Sequence, residues 1–268
     1  MIKDNQKYFN RLHLLIDALV IAVSYMLAWY LKFASPFFAS DPAVGALQWQ
    51  TYFELLYFIV PGYLILYYYF NLYTPKRATV HKYEILNIFQ ANTVGLILLM
   101  AGWYAIKQIH FSRSMMAMFY VINIILSTIS RSIIRSLLQY FRRKGYNLKY
   151  ILLVGYSRAT EEYINRINGN PQWGYVVRGI LDDAVPRGTV YRGVKVIGSI
   201  ANLLYILPEN KLDEIAITLS LNDYDQLEHI VDLCEKSGVH TKFIPDYNSL
   251  FPSRPYTEDL MGLAVVNI

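Results

Sequence analysis

The hexapeptide Gly155-Tyr-Ser-Arg-Ala-Thr160 has the residue types and spacing in this sequence that best suit ligand chemistry. It follows the apolar run 150–154 and precedes an amphipathic pattern that extends to about Asn168, so we predict a turn between a strand and a helix. The N-terminus of that helix favours an anion, and Arg158 adds a positive charge. A dinucleotide fingerprint reads G-x-G-x-x-G/A, but Ser157 and Thr160 hold its second and third glycine positions here. The Cβ atom of Ser157 would hinder close approach of a pyrophosphate.

Asp182 stands at the end of a second predicted strand, where dinucleotide-binding proteins place the acid that binds the ribose. Two interpretations remain open. In the first, Gly155, Ser157, Arg158 and Asp182 form a site for a nucleotide or a sugar nucleotide. In the second, the domain has the Rossmann shape but a degenerate, empty site.

Other catalytic patterns are weak. Tyr191 and Lys195 have the Tyr-x-x-x-Lys spacing of short-chain dehydrogenases, but that pair needs a helix, and 188–196 is typical of a small hairpin or an extended loop. The histidines are scattered, so we expect no metal site, and we assign no catalytic residue. The single cysteine, Cys234, excludes an intrachain disulfide and lies on the apolar face of a predicted helix as core filler.

The elements around these residues alternate between strands and helices, which predicts a Rossmann-like α/β domain with a parallel sheet over residues 147–245. The predicted strands are Tyr150–Val154, Val176–Leu181, Glu214–Leu219 and Val239–Ile244, and the later helices are Ser199–Leu207, with Ser199 as N-cap, and Asp223–Ser237.

The first half of the chain has a different character. Residues 1–148 carry 14 Lys/Arg and five acids, whereas residues 149–268 carry 11 and 15. Four apolar segments are long enough to cross a bilayer, so 1–146 is predicted to be an α-helical bundle of four transmembrane helices: Leu12–Phe33, Thr51–Tyr73, Tyr83–Ile106 and Met115–Leu138. Because the basic residues flank these segments and form no stripe on a soluble face, we expect a lipid bilayer and no nucleic acid as partner.

The placement of Lys and Arg predicts that both termini and the α/β domain face the cytoplasm. Asp17 lies inside the first segment. Its simpler interpretation is an acid near the interface, paired with Arg11 or a lipid headgroup, and the alternative is a functional intramembrane acid. The spans show no paired set of charges in the sequence, which argues against a pump or a secondary transporter.

The ordered combination of four spans, a basic exit and YILLVGYSRATEEYINRINGNPQWGYVVRGILDD resembles the N-terminal half of the large bacterial polyprenyl-phosphate sugar-1-phosphate transferases. The stretches GVKVIGSIANL, DEIAITL and GVHTKFIPDYNSLFPSRPYTEDLMGLAVVNI strengthen the resemblance. The last of these looks most like the undecaprenyl-phosphate glucose phosphotransferases.

The resemblance implies a multi-pass protein of the bacterial inner membrane. Its family moves a sugar-1-phosphate from a UDP-sugar to undecaprenyl phosphate, with Mg²⁺ as cofactor of the full-length enzyme, in exopolysaccharide or capsule synthesis. The family's catalytic domain would follow residues 246–268, which we expect to be a linker. This chain would then be a fragment, a split-gene product or a non-catalytic relative, with anchoring, homo-oligomer formation and sensing of the UDP-sugar as its roles. A stand-alone membrane-tethered nucleotide sensor is the alternative.

Overall fold

The computed structural model describes residues 2–35, 49–74, 77, 81–105, 112–210, 212–246, 256–260 and 263–267. The chain forms two compact units, Met1–Leu137 and Leu138–Ile268. The boundary lies within a long helix, α5 (Arg113–Arg143). We refer to the two parts as the membrane unit and the α/β unit.

The membrane unit is helical. Its other helices are α1 (Ile2–Phe33), α2 (Trp49–Glu54), α3 (Leu56–Tyr69) and α4 (His81–Ala105). Three helices in the described part of the chain are long and apolar enough to cross a membrane, over Arg11–Phe33, Lys82–Ala105 and Arg113–Arg143.

These three helices agree with three of the four predicted spans, although the predicted end of one span, Ile106, lies outside the described residues. The remaining predicted span, Thr51–Tyr73, is divided at Leu55, and its helix ends at Tyr69. The count of four transmembrane helices therefore stays a prediction.

Buried side chains recur at every fourth residue in the middle of α5, and they become more polar along the helix. Phe119, Asn123, Ser127 and Arg131 are all buried. Tyr25 and Tyr63 pack edge-to-face on Phe119, with ring centroids 5.5 and 5.4 Å away. Large apolar side chains are exposed on the outer faces of the long helices, among them Leu15, Leu19, Ile97, Leu98, Ile125 and Ile129. An apolar exterior around a partly polar interior suits a protein that contacts lipid.

The α/β unit contains eight strands and three helices in the described residues. In chain order they are β1 (Lys149–Val154), α6 (Arg158–Gly169), β2 (Tyr175–Leu181), β3 (Val190–Tyr191), β4 (Val194–Gly198), α7 (Leu203–Asn210), β5 (Glu214–Ile217), α8 (Leu227–Lys236), β6 (His240–Phe243), β7 (Tyr256–Leu260) and β8 (Leu263–Asn267). Short 3₁₀ segments precede β2, α7 and α8. The four predicted strands are confirmed to within a few residues at each end.

Six strands form one sheet in the order β3-β4-β2-β1-β5-β6. All neighbours pair in parallel except β3 and β4, which form an antiparallel hairpin at one edge. The predicted parallel sheet is therefore confirmed for five of the six strands, and the sheet as a whole is mixed because residues 188–196 add a hairpin at its edge. A strand pair closed by a tight turn has to be antiparallel, and the turn residues Arg192 and Gly193 both have positive φ.

Alternate residues of β1 enter two apolar cores. Leu152 and Val154 contribute to the core that contains Leu203 of α7 and Ile230 of α8. Ile151 and Leu153 contribute to the core that contains Ile164 and Ile167 of α6. Helices therefore cover both faces of the sheet, as in doubly wound folds.

The chain reverses its winding direction between β1 and β5. The strands β2 and β4 lie on one side of β1, and β5 and β6 lie on the other. Ligands of such sheets bind at this switch point, outside the carboxyl ends of the strands. The segments that follow β1 and β5 therefore form the candidate ligand site of this sheet.

The predicted linker, 246–268, contains the paired strands β7 and β8, which form a two-stranded sheet of their own. Its role as a connection to a further domain stays a prediction.

Candidate functional site

The predicted loop lies at the switch point and needs glycine at its first position. Gly155 has φ +92°, in the left-handed region that L side chains rarely adopt. A Cβ atom at Gly155 would also lie 2.9 Å from the Cα atom of Leu219, which follows β5. Backbone conformation and close packing therefore both exclude a side chain here.

Ser157 and Thr160 close this loop with a capping box at the start of α6. The hydroxyl of Ser157 accepts a hydrogen bond from the N–H of Ala159 at 3.1 Å and donates one to the carbonyl of Thr218 at 2.7 Å. The hydroxyl of Thr160 accepts a bond from the N–H of Ser157 at 2.9 Å. It also lies 2.8 Å from the carbonyl oxygen of Gly155 and 3.0 Å from the hydroxyl of Thr218. These bonds connect the segments after β1 and β5.

Asp182 is bound on both carboxylate oxygens by backbone groups. Its Oδ2 accepts a hydrogen bond from the N–H of Tyr156 at 2.7 Å. Its Oδ1 accepts bonds from the N–H groups of Ala184 at 2.8 Å and Val185 at 2.7 Å. The side chain thus ties the loop after β2 to the loop after β1, and a ribose hydroxyl would have to compete with three amide donors.

The structure brings together Gly155, Ser157 and Asp182, while Arg158 points its side chain towards solvent in the first turn of α6. The N–H groups of Tyr156, Ser157 and Ala159 all bind acceptors within the chain. An anion at this helix terminus would therefore depend on Arg158 and on displacement of these internal acceptors. The assignment of the four residues to nucleotide binding stays a prediction.

Tyr156 is a member of this region that the sequence pattern did not single out. Its hydroxyl donates a hydrogen bond to Glu161 at 3.0 Å, and its ring packs edge-to-face on Tyr191 at 6.4 Å. Burial and the bond to Glu161 raise the pKa of Tyr156 to about 12, so the phenol stays protonated. A tyrosine five residues before a glutamate is a common spacing, so only the fold reveals the pair.

Tyr191 and Lys195 lie on opposite faces of the β3–β4 hairpin. Tyr191 pairs with Val194, and Lys195 pairs with Val190, at adjacent positions of the ladder. Tyr191 packs into the core beside α6, where Asn165 donates to its hydroxyl at 3.2 Å, whereas Lys195 is exposed. The spacing found in short-chain dehydrogenases therefore makes no catalytic pair here.

A buried carboxylate lies at the opposite, amino edge of the same sheet. Glu214 begins β5 and forms ion pairs with Lys149 of β1 at 2.5 Å and with Lys242 of β6. Burial alone would raise the pKa of Glu214, but the hydrogen bonds and charges of the two lysines outweigh it and hold that pKa below its usual value. The cluster joins three strands, and the neighbouring Asp213 accepts a bond from the N–H of Tyr150 at 2.9 Å.

A second set of paired charges lies inside the membrane unit. Arg131 binds Asp17 at 2.5 Å, and these two side chains are each only 2% exposed. Glu84 lies 2.6 Å from Arg135 and 3.5 Å from Arg131. The prediction that Asp17 pairs with Arg11 or a headgroup near the interface was wrong, and so was the prediction that the spans lack paired charges.

This charge cluster continues into a neutral polar one. Arg131 also donates to the carbonyl of Leu72 at 2.9 Å and lies over the Tyr67 ring at 5.8 Å. The Tyr67 hydroxyl lies 3.1 Å from the hydroxyl of Ser127 and accepts from Asn123 at 3.2 Å. These contacts pair buried polar side chains with one another, which lowers the cost of burying them in an apolar environment.

The fold and these contacts define a class: a protein with membrane-compatible helices joined to a Rossmann-like α/β unit, whose switch-point loop is capped from within. The family model described as "CoA-binding domain" matches residues 69–245, and the chain belongs to this family.

Two curated relatives have the same name, UDP-glucose:undecaprenyl-phosphate glucose-1-phosphate transferase. The protein from Klebsiella pneumoniae is 27% identical over 138 residues, which cover 52% of this chain and 29% of the relative. The protein from Xanthomonas campestris pv. campestris is 21% identical over 161 residues, which cover 59% and 33%. The chain spans about a third of the length of these relatives. The resemblance to the sugar-1-phosphate transferase family is confirmed.

Two solved structures match this chain at low TM-score. The Rex-family repressor RSP has a TM-score of 0.32 and 16% identity, over 40% of this chain and 58% of that one. RSP in complex with beta-NADH has a TM-score of 0.35 and 13% identity, over 62% and 89%.

Proposed function

We propose that this chain is the membrane-anchoring and regulatory portion of a transferase that moves glucose-1-phosphate from UDP-glucose to undecaprenyl phosphate. The observation that carries the proposal is the similarity to two transferases of that name. The union of apolar helices and an α/β unit in one chain supports an anchoring role. Mg²⁺ would act with the catalytic part of such an enzyme, since a divalent cation neutralises charge on a transferring phosphoryl group.

The genomic DNA on both sides of the codons for residues 1–268 provides the first test. We expect a transferase domain to be encoded in frame or in an adjacent gene. The second test uses membranes that contain that domain with and without this chain, and measures transfer of radiolabelled glucose phosphate from UDP-glucose to undecaprenyl phosphate. The proposal would be contradicted if both preparations had the same rate of transfer, the same amount of transferase domain attached to the membrane and the same dependence on the UDP-glucose concentration.

A second candidate is a membrane-tethered sensor of a nucleotide or UDP-sugar that acts without catalysis. The location of Gly155, Ser157 and Asp182 at the switch point, beside the exposed Arg158, favours it. This loop lies at the carboxyl edge of the sheet, where water-soluble ligands of doubly wound folds bind.

Calorimetric titration of the full chain in detergent would test the sensor. The ligands are UDP-glucose, UDP, NAD and, because of the family's description, CoA. We expect binding of one of them to weaken in Arg158→Gln, while the control Arg166→Gln, on an exposed later turn of α6, binds as the parent does. If none of the four ligands gave a heat of binding, the sensor function would be excluded for these ligands.

We further propose that the protein lies in the bacterial inner membrane, with both termini and the α/β unit in the cytoplasm. The excess of Lys and Arg near residues 3–11, 76–82 and 142–144 supports this orientation. Protease added outside intact cells should leave the α/β unit uncut. Cleavage near residue 200 in intact cells would show that the α/β unit faces the outside and would contradict the proposed orientation.

A further inference from the structure

The end of α5 carries an exposed surface of aromatic and basic side chains. It consists of Tyr140, Phe141, Arg143, Lys144 and Tyr146, which we call the exit patch. Its three aromatic side chains are 52%, 48% and 66% exposed, in chain order. The ammonium group of Lys144 lies 4.6 Å from the centre of the Tyr140 ring, and the Phe141 and Tyr146 rings pack edge-to-face at 6.5 Å.

The helix terminus holds the exit patch in a defined shape. Gly145 has φ +90°, and its N–H donates to the carbonyl of Arg142 at 3.0 Å. The N–H of Tyr146 donates to the carbonyl of Phe141 at 3.0 Å. These two bonds form a Schellman motif, in which the residue after the glycine packs on the last turn of the helix. The contact between Phe141 and Tyr146 is that packing.

Arg142 lies in the same turn, but its side chain is directed to the body of the α/β unit. An ideal Cβ atom on Gly174 would lie 2.8 Å from the Cγ atom of Arg142, so the glycine makes room for the arginine stem. The carbonyl of Gly174 also accepts a hydrogen bond from the N–H of Lys149 at 2.8 Å. The exit patch is therefore fixed to the sheet on one side and open on the other.

We propose that the exit patch docks the α/β unit onto anionic lipid headgroups. Aromatic rings that are half-buried and half-wet suit the boundary between hydrocarbon and headgroups. Among the described residues, Arg143 and Lys144 contact no carboxylate, so both charges remain available to lipid phosphates. Tyr140, Phe141 and Arg143 belong to the last turn of the helix Arg113–Arg143, which is long and apolar enough to cross a membrane, so the proposal puts the exit patch at the membrane surface. The inference goes beyond anchoring because it makes the protein selective for lipid charge.

The test measures lipids retained by the full chain in native mass spectrometry, with phosphatidylglycerol and phosphatidylcholine added in turn. We expect the parent to prefer phosphatidylglycerol. The variant R143Q/K144Q should lose about five-fold in that preference for each charge removed, since each basic residue near an anionic surface contributes a factor of about that size. The variant Y140S/Y146S should retain less of both lipids.

The matched control is R166Q/K236Q, which removes two exposed cations of the same unit outside the exit patch. It should keep the preference of the parent. An unchanged preference in R143Q/K144Q, or an equal loss in the control, would overturn the proposal. Because the side chains of Arg143 and Lys144 are exposed, their replacement should leave the Schellman motif and the fold in place.

Discussion

Asp17 and Arg131 place opposite charges in contact within the membrane unit, where either charge alone would be costly. Removal of one partner of a buried pair leaves an uncompensated charge and commonly costs about 3–5 kcal/mol. The pair also joins α1 to α5, two helices that are far apart in sequence.

The first prediction concerns this pair. Asp17→Ala should lower the thermal unfolding temperature of the chain in detergent strongly, because Arg131 is left buried without its carboxylate. The charge swap D17R/R131D should recover part of the loss. The control Glu162→Ala removes an exposed pair with Arg166, and it should have little effect. Equal unfolding temperatures for Asp17→Ala and the control would contradict the structural role.

Cys234 is confirmed as a core residue. It is completely buried, and burial raises the pKa of its thiol to about 11. Since the thiolate is the reactive form, we predict that iodoacetamide at neutral pH leaves the folded chain unlabelled and labels it only in denaturant. Intact-mass measurement reports the label, and Cys234→Ser provides the blank. Rapid labelling of the folded chain would contradict the burial.

The sequence predicted where single residues lie in the fold better than it predicted which residues they contact. Gly155, Ser157 and Asp182 were expected at one edge of the sheet, and they lie there. The partner of Asp17 could not be predicted, because Arg131 is 114 residues away and neither residue has a local pattern. The capping role of Thr160 was also missed, since the box more often has Glu or Gln at that position.

At the scale of elements, α4 packs on α3 through a glycine. A Cβ atom at Gly95 would lie 2.7 Å from the Cζ atom of the buried Tyr63 ring. Gly102 lies two turns later on the same helix, and an added Cβ atom there meets nothing within 4 Å. The two glycines therefore form a matched pair for mutation.

We predict that Gly95→Ala destabilises the membrane unit by about 1–3 kcal/mol, because the tyrosine ring has to move in a packed interior. Gly102→Ala should be neutral or should stabilise by up to about 1 kcal/mol through helix propensity. Thermal unfolding of both variants in the same detergent makes the comparison. A larger loss in Gly102→Ala than in Gly95→Ala would show that the contact between α3 and α4 is wrong.

Glu214 joins three strands, and its charge makes the α/β unit sensitive to acid. Its folded pKa lies below the ordinary value of 4.5, so its contribution to stability is fully present above about pH 4.5 and is lost as the pH falls through the folded pKa. Glu214→Gln should remove this acid dependence and should lower stability at pH 7 by about 1.5–3 kcal/mol. Hydrogen exchange of the β5 amides at several pH values provides the measurement. If hydrogen exchange of the β5 amides depended on pH in Glu214→Gln as it does in the parent, the loss of stability in acid would be due to other groups.

Strand–helix alternation was sufficient to predict β1, β2, β5 and β6, since short apolar runs between turn signals have few other interpretations. The pairing of β4 with β2 was not predictable, because the alternation of 188–196 indicates a hairpin but not its neighbour. The division of the second span at Leu55 was also missed, as hydropathy responds to composition and not to helix continuity.

For the whole molecule, the exposed apolar faces of α1, α4 and α5 lead to a simple expectation. Alkaline carbonate should leave the chain in the membrane pellet, and a mild detergent should release it, because the apolar spans partition into hydrocarbon. Immunoblots of pellet and supernatant report the outcome. Recovery of the chain in the carbonate supernatant would mean that no helix crosses the bilayer.

The first strand has one further consequence. Six residues of β1, at about 3.3 Å each, separate Lys149, at the start of the strand, from Gly155 by about 20 Å. A molecule held at Gly155 would contact the carboxyl end of β1 and not its first residues. Such a molecule would therefore act on the residues that precede β1 indirectly, through a displacement of this strand or of the strands that pair with it.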